Sequence, residues 1–210
     1  QTSWRMVLNT DGQPTVEDTV EGIKRLSESK LLDVVSLGPD QDAQENFFHP
    51  ERQDPKRKGA GGVPARSADD YRAMYQATQR GNYPLMRCYA GTDDLLRLAR
   101  MYVETINNAW AAVPIFWFNV LDHRGPMGLE ESIHVHQQVM RWHAEQGITV
   151  EVNEPHHWSL RDAPDVIYVA AAYLSAYNAK AMGVQHYISQ YMFNIPAGLS
   201  DSMDLARILA

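Results

Sequence analysis

Two kinds of segment alternate along the chain, short apolar ones and longer amphipathic ones. The short ones are rich in β-branched and aromatic residues, which is typical of strands. We predict six strands, in "WRMVLNTDG", "LLDVVSLGPD", "YPLMRCYAG", "VPIFWFNVL", "ITVEVNEP" and "VQHYISQYMFNIP". The longer segments have the period of helices, which we predict over residues 16–29, 68–79, 94–106, 129–146 and 165–182, with another beginning in "SDSMDLARILA". We expect residues 11–15 to cap the first helix.

This alternation predicts an α/β protein with parallel strands, because a crossover helix returns the chain to the same end of the sheet. An open doubly wound sheet and a (β/α)8 barrel both satisfy it. The first turn, "NTDGQPT", has one glycine where a dinucleotide-binding fingerprint needs three. Glu151, Asn153 and Gln190 lie within predicted strands, and such polar positions favour a barrel lumen lined by functional groups.

We therefore predict a (β/α)8 TIM-type barrel, truncated after about six βα units, as one partial domain over residues 1–210. The chain starts without methionine and stops within a helical pattern, so we expect a fragment of a longer polypeptide. The polar segment at residues 41–67 carries several glycines and lysines and is expected to be a mobile loop.

Composition narrows the range of partners. The net charge is −7 with both signs interspersed, which argues against nucleic acid as the main ligand. No apolar segment approaches the ~20 residues of a membrane span, and no signal-peptide pattern is present at the start. The single cysteine, Cys88, suits a reducing compartment. We expect a cytoplasmic protein.

Candidate functional residues follow from the rule that barrel active sites lie at the carboxyl ends of the strands. By this rule the candidates are Asn9, Asp11, Asp40, Gln41, Arg87, Tyr89, Asn119, Asp122, His123, Arg124, Glu151, Asn153, Glu154, His156, His157, Gln190, Tyr191 and Asn194. Arg87 is the most informative, because an unpaired buried charge costs several kcal/mol. It either binds an anionic ligand or forms an ion pair with Glu151 or Glu154.

Other candidates have competing structural interpretations. Asp122, His123 and Arg124 could form a solvated loop, and Arg66 is a weaker candidate than Arg87. Adjacent histidines point in divergent directions, and the spacing is not that of H-E-x-x-H, so a metal site is the less favoured interpretation of His156 and His157.

Residues within the predicted elements are assigned mainly to packing. The histidines of the 129–146 helix, at positions 134, 136 and 143, are expected at a surface or an interface. Trp110 is expected to pack between strands and helices. Cys88 next to Arg87 could have a lowered pKa, but a nucleophile also needs a nearby base.

Three segments together resemble the catalytic barrel subunit of the glutamate mutase (methylaspartate mutase) family. The first is "YPLMRCYAGTDDLLRLA", with an arginine-bearing strand followed by Gly-Thr-Asp and a leucine-rich helix. The second is "GLEESIHVHQQVMRWHAEQGITVEVNEPHHWSL", and the third is "AAAYLSAYNAKAMGVQHYISQYMFN". The resemblance covers residues from about 63 to 194.

The resemblance implies an adenosylcobalamin-dependent carbon-skeleton rearrangement, with a separate cobalamin-binding subunit as partner. It places Arg87 at the family's third-strand arginine, which holds a substrate carboxylate, and Glu154 at the glutamate that engages the substrate amino group. A guanidinium can grip a carboxylate with two parallel hydrogen bonds. The further substrate-binding residues that we expect on this basis are Arg66, Arg124, Tyr89, Asn119, Asn153 and Gln190.

The chain also departs from the family. The segment "SLGPDQDAQENFF" has no arginine before Arg52, so we expect a small carboxylate or amino acid rather than specifically glutamate. The cobalamin-binding D-x-H-x-x-G signature is absent, so a partner chain or a missing part of this polypeptide would have to bind the lower face of the cofactor. We also expect an oligomer. The alternatives are a metal-dependent TIM-barrel hydrolase, lyase or isomerase using Glu154, His156, His157 and Asp122, or a non-catalytic assembly subunit derived from a barrel.

Overall fold

The computed structural model describes residues 2–3, 15–58, 62–88, 91–113, 127–152 and 164–189. Strands and helices alternate along these residues, as the hydrophobic pattern predicts. The strands are β1 Thr2–Ser3, β2 Val34–Leu37, β3 Leu85–Cys88, β4 Trp110–Val113, β5 Thr149–Val152 and β6 Tyr187–Ser189. The α-helices are α1 Val16–Ser29, α2 Gln41–Glu45, α3 Ala68–Thr78, α4 Leu95–Ile106, α5 Leu129–Glu145 and α6 Asp165–Ala181, and single 3₁₀ turns span Pro50–Arg52 and Pro55–Arg57.

Helix boundaries follow local capping chemistry. The hydroxyl of Thr15 accepts a hydrogen bond from the backbone N–H of Asp18 at 3.0 Å, which starts α1 and confirms the expected cap. Ser67 and Asp70 form a reciprocal capping box at the start of α3. The α4 helix ends at Asn107, whose φ of 48° is left-handed, a conformation that asparagine tolerates better than most residues.

The described strands form two parallel sheets of three strands each, in the orders β1-β2-β3 and β4-β5-β6. In the first sheet Ser36 is in register with Arg87, and in the second Ala112 is in register with Glu151. The predicted α/β class with parallel strands is confirmed.

The predicted TIM barrel is wrong. Barrel closure requires an unbroken ring of paired strands, whereas in the described part of the chain β1 pairs with β2, β6 pairs with β5, and no ladder joins the first sheet to the last strand. A backbone hydrogen bond, from Ala109 N–H to the Met86 carbonyl at 2.8 Å, joins β3 to the residue before β4. Polar alternation within strands misled the prediction, because any sheet with two chemically different faces produces the same pattern.

The helices cover one side of the strands. α1 packs against α3, α3 against α4, and α4 against α5. The core beneath them contains Val35, Met86 and Val150 from the strands. Because successive side chains of a strand point to opposite faces, the neighbours of these residues in sequence, including Ser36, Arg87 and Glu151, lie on the face away from the helices. On this opposite face, which we call the polar face, Ser36, Arg87 and Glu151 are buried.

The segment at residues 41–67, which we predicted as a mobile loop, contains α2 and both 3₁₀ turns among its described residues. Its end returns to the carboxyl end of β2, where Pro39 forms a parallel bridge with Val63. Gly62 is required there, because a Cβ atom at this position would overlap the backbone of Gly38 and Pro39. The mobility of the segment stays a prediction.

Candidate functional site

A buried ion pair on the polar face joins the two sheets. Arg87 in β3 places Nη2 2.7 Å from Oε1 of Glu151 in β5, and the two residues are 3% and 1% exposed. Trp110 at the start of β4 donates its indole N–H to the other carboxylate oxygen of Glu151. The guanidinium carbon of Arg87 also lies 6.0 Å from the centre of the Trp110 ring. Three consecutive strands therefore contribute to one cluster, which we call the Arg87 cluster.

The Arg87 cluster shows that one of the two predicted partners, Glu151, pairs with Arg87. Arg87 is paired with Glu151, whereas Glu154 lies outside the described residues. The role of Arg87 in binding an anion stays a prediction.

Electrostatics give Glu151 an unusual proton affinity. Burial raises the pKa of its carboxyl group, because the charged form loses its hydration. The charge of Arg87 and the hydrogen bond from Trp110 lower the pKa, but they do not fully offset the effect of burial. A carboxyl group with raised proton affinity beside a fixed cation is suited to exchanging a proton during binding or catalysis.

A second arginine lies in a different cluster at the carboxyl end of β2. Arg66 contacts Asp40 through Nη1 at 2.9 Å and Asp42 through Nη2 at 3.2 Å. Both aspartates are buried, and Arg57 adds longer contacts of 3.5 Å to Asp42 and 3.8 Å to Glu45. We call this the Arg66 cluster. Its carboxylates occupy both terminal nitrogens of Arg66, which ties the 41–67 segment to β2.

Most of the other predicted site residues lie outside the described part of the chain. These are Asn9, Asp11, Tyr89, Asn119, Asp122, His123, Arg124, Asn153, Glu154, His156, His157, Gln190, Tyr191 and Asn194. Gln41 is described, and its amide donates to Glu45 at 2.8 Å within α2. Over the ranges that the structure does describe, no three or more His, Cys, Asp or Glu side chains are grouped to hold a metal ion. The residues of the predicted metal alternative are not among them.

Two expectations about packed residues are corrected by the structure. His136 and His143 of α5 are buried rather than at the surface. Trp110 contributes to the Arg87 cluster rather than only packing between strands and helices. The spacing of Ser132, His136, Val139 and His143 is that of one helix face, so the burial of the histidines could have been found in the sequence.

α6 exposes an unusual amount of apolar surface. Its large exposed side chains are Val166, Ile167, Val169, Tyr173, Leu174 and Tyr177. The rings of Tyr173 and Tyr177 stack with their centres 6.4 Å apart. Large exposed apolar patches often mark contacts with other molecules, and the expected oligomer stays a prediction. Within the described ranges, no helix is both long enough and apolar enough to cross a bilayer.

Comparisons of the chain with models of protein families, with curated proteins and with solved structures gave no match. The resemblance to the glutamate mutase family therefore stays a prediction based on short sequence motifs.

Proposed function

We propose that this protein is an enzyme that acts on a small carboxylate or amino-acid substrate at the carboxyl ends of β3 and β5. Arg87 is the group that receives the substrate carboxylate, and Glu151 positions Arg87 and takes up or releases a proton. The observation that supports this proposal most is the buried 2.7 Å contact between Arg87 and Glu151 across two sheets.

The location of the pair favours function. Arg87 is one residue before the end of β3, and Glu151 is one residue before the end of β5. Ligands of open parallel α/β sheets bind outside the carboxyl ends of the strands. The predicted substrate-binding residues Tyr89, Asn153 and Glu154 follow these same strand ends in sequence.

The energetics of the pair also favour function. Replacing a buried ion pair by well-packed apolar residues is often neutral or stabilises a protein by about 1–4 kcal/mol. Stability alone therefore gives little reason to keep Arg87 and Glu151. The raised pKa of the Glu151 carboxyl group is a second feature that is more common at functional sites than elsewhere.

The chemistry of binding follows from charge balance. A substrate carboxylate that pairs with Arg87 competes with Glu151 for the same cation. Glu151, whose pKa is already raised by burial, then takes up a proton, so that one positive and one negative charge remain in the cluster. Binding should consequently consume protons from solution.

Carbon-skeleton rearrangement is the specific reaction that the sequence resemblance implies, with adenosylcobalamin supplying the radical chemistry. The chain lacks the D-x-H-x-x-G signature that would hold the lower face of the corrin, so we assign no step to the cofactor. Whether the protein binds adenosylcobalamin is tested separately, by titrating the cofactor with the protein and following the visible spectrum of the corrin.

The proposal is tested by isothermal titration calorimetry with a panel of small dicarboxylates and amino acids. The wild type should bind at least one of them, with proton uptake that appears as a dependence of the heat on the ionisation enthalpy of the buffer. The double variant Arg87→Met/Glu151→Met should weaken that binding at least tenfold, about 1.4 kcal/mol. Arg72→Met, which changes an exposed arginine of α3, is the matched control and should bind as the wild type does.

Two results would contradict the proposal. One is the absence of binding to every carboxylate tested with the wild type. The other is an unchanged dissociation constant in a folded Arg87→Met/Glu151→Met protein, which would leave the ion pair with a purely structural role.

A further inference from the structure

A second group of polar side chains lies on the helix side of the strands, away from the Arg87 cluster. It surrounds a cavity of about 10 Å³ between β3, β4, α4 and α5. The polar residues that line this cavity are Cys88, Tyr102, Asn108 and His143, and the remaining lining residues are apolar. All four polar residues are buried.

The hydrogen bonds of His143 fix its protonation form. Nδ1 lies 2.8 Å from the backbone carbonyl oxygen of Val139. A carbonyl only accepts hydrogen bonds, so Nδ1 carries the proton. Burial lowers the pKa of the His143 side chain, which favours the neutral ring. In the neutral ring Nε2 is then a hydrogen-bond acceptor.

Nε2 of His143 needs a donor. It is fully buried, and none of the described protein groups lies within hydrogen-bond distance of it. Leaving a buried acceptor unsatisfied costs about 1–3 kcal/mol. The other polar groups around the cavity have protein partners. Oδ1 of Asn108 accepts from the Cys88 backbone N–H at 2.9 Å, and the hydroxyls of Tyr102 and Tyr71 are 3.3 Å apart.

Those existing bonds still allow Tyr102 to interact with a guest molecule. The hydroxyl of Tyr102 contacts that of Tyr71 and also forms a hydrogen bond with the side chain of Cys88. A tyrosine hydroxyl has one proton to donate and two lone pairs that accept, so it can still accept a hydrogen bond from a guest. The guest must donate to Nε2 of His143 and must exchange hydrogen bonds with a hydroxyl. It must also be no larger than a water molecule, since about 10–15 Å³ of such volume holds one water.

We propose that this cavity binds one structural water molecule, which donates a hydrogen bond to Nε2 of His143. Tyr102 is its second partner, and Asn108 and Cys88 complete the polar wall. The water joins α5 to α4 beneath β3 and β4, so it is part of the packing of the helix layer onto the strands.

The test is a measurement of magnetisation transfer from water to the ring protons of His143 by NMR. In the wild type we expect a cross-peak with the sign of a long-lived bound water, and a long-range nitrogen correlation should show that Nδ1 is protonated and Nε2 is hydrogen-bonded. His143→Phe removes the acceptor and should remove the water cross-peaks of the remaining cavity protons, including those of Tyr102. His134→Phe, the same substitution at an exposed position of α5, is the matched control and should keep them.

The proposal is overturned if the wild-type protein shows no bound-water cross-peak at His143 and Tyr102. It is also overturned if Nε2 rather than Nδ1 carries the proton, because Nε2 would then be a donor. Both measurements use the wild-type protein, so they decide the matter even if His143→Phe fails to fold.

Discussion

The two arginine clusters differ in the hydrogen-bond donors that their carboxylates have among the described residues. In the Arg66 cluster, Asp40 also accepts from the Ala43 backbone N–H, and Asp42 accepts from the Asp54 backbone N–H. Arg66 itself is 20% exposed, so water shares in its solvation. In the Arg87 cluster, the carboxylate of Glu151 is held by Arg87 and Trp110.

This difference predicts how strongly substitution of each arginine destabilises the protein. Losing Arg66 leaves Asp40 and Asp42 with backbone donors, and Asp42 also keeps Arg57 nearby. Losing Arg87 leaves Glu151 buried, with the indole N–H of Trp110 as its donor among the described residues. The carboxylates of the Arg66 cluster therefore keep several donors when the arginine is lost, whereas Glu151 loses its charged one.

Arg87→Met should cause the largest loss in the free energy of unfolding. Removing one partner of a buried ion pair costs about 3–5 kcal/mol, because the other charge stays buried without compensation. Urea denaturation should show this loss in the free energy of unfolding. The double variant Arg87→Met/Glu151→Met should recover most of it, because no lone charge remains. A double variant as unstable as the single one would show that the charges themselves are not the cause.

Arg66→Met should lower the free energy of unfolding by less, about 1–3 kcal/mol. The substitution removes charge-assisted hydrogen bonds, but their acceptors, Asp40 and Asp42, keep other donors.

Arg72→Met is again the control. Its contact with Asp69 is 2.6 Å, as short as that in the Arg87 cluster, but the side chain is 53% exposed. We expect Arg72→Met to change stability by less than about 1 kcal/mol, because exposed ion pairs contribute little. If Arg66→Met and Arg72→Met were equal, burial would not be what distinguishes these contacts.

The smallest expected effect is a dependence of stability on pH that is specific to Glu151. Its folded-state pKa is raised, so the folded protein binds more protons than the unfolded chain above the unfolded value of about 4.3. The free energy of unfolding attributable to Glu151 should therefore fall as the pH rises from that value through the folded pKa. The slope can reach at most about 1.4 kcal/mol per pH unit for one group.

Unfolding measured over a pH series in the wild type and in Glu151→Gln isolates this effect. The difference between the two proteins should decrease toward higher pH across the titration of Glu151. A difference that grows with pH instead would mean that Arg87 lowers the pKa of the Glu151 carboxyl group below its ordinary value.

Periodicity predicted the helices well, but it could not predict how the strands close. The predicted 16–29 helix coincides with α1, and its cap lies at Thr15, because amphipathic spacing and a capping residue are local properties. Whether a sheet stays open depends on pairing between distant strands. The polar position at Glu151 is compatible both with a lumen and with the second face of an open sheet.

The candidate site was also predictable only in part from the sequence. A buried arginine in β3 required a partner, and the sequence offered Glu151 and Glu154. That Glu151 pairs with Arg87 depends on the register of β5, in which Glu151 is opposite Ala112 of β4. The contribution of Trp110 was missed because an indole in an apolar strand is usually assigned to packing before its single N–H donor is considered.

The Arg87–Glu151 contact joins residues that are 64 positions apart in the chain and belong to different sheets. Each sheet on its own would keep one charge of this pair on its buried face without the other charge beside it. Separation of the sheets is thus penalised electrostatically as well as by exposure of apolar surface. The two halves should open and close as one cooperative unit, with hydrogen exchange of β3 and β5 slowing together.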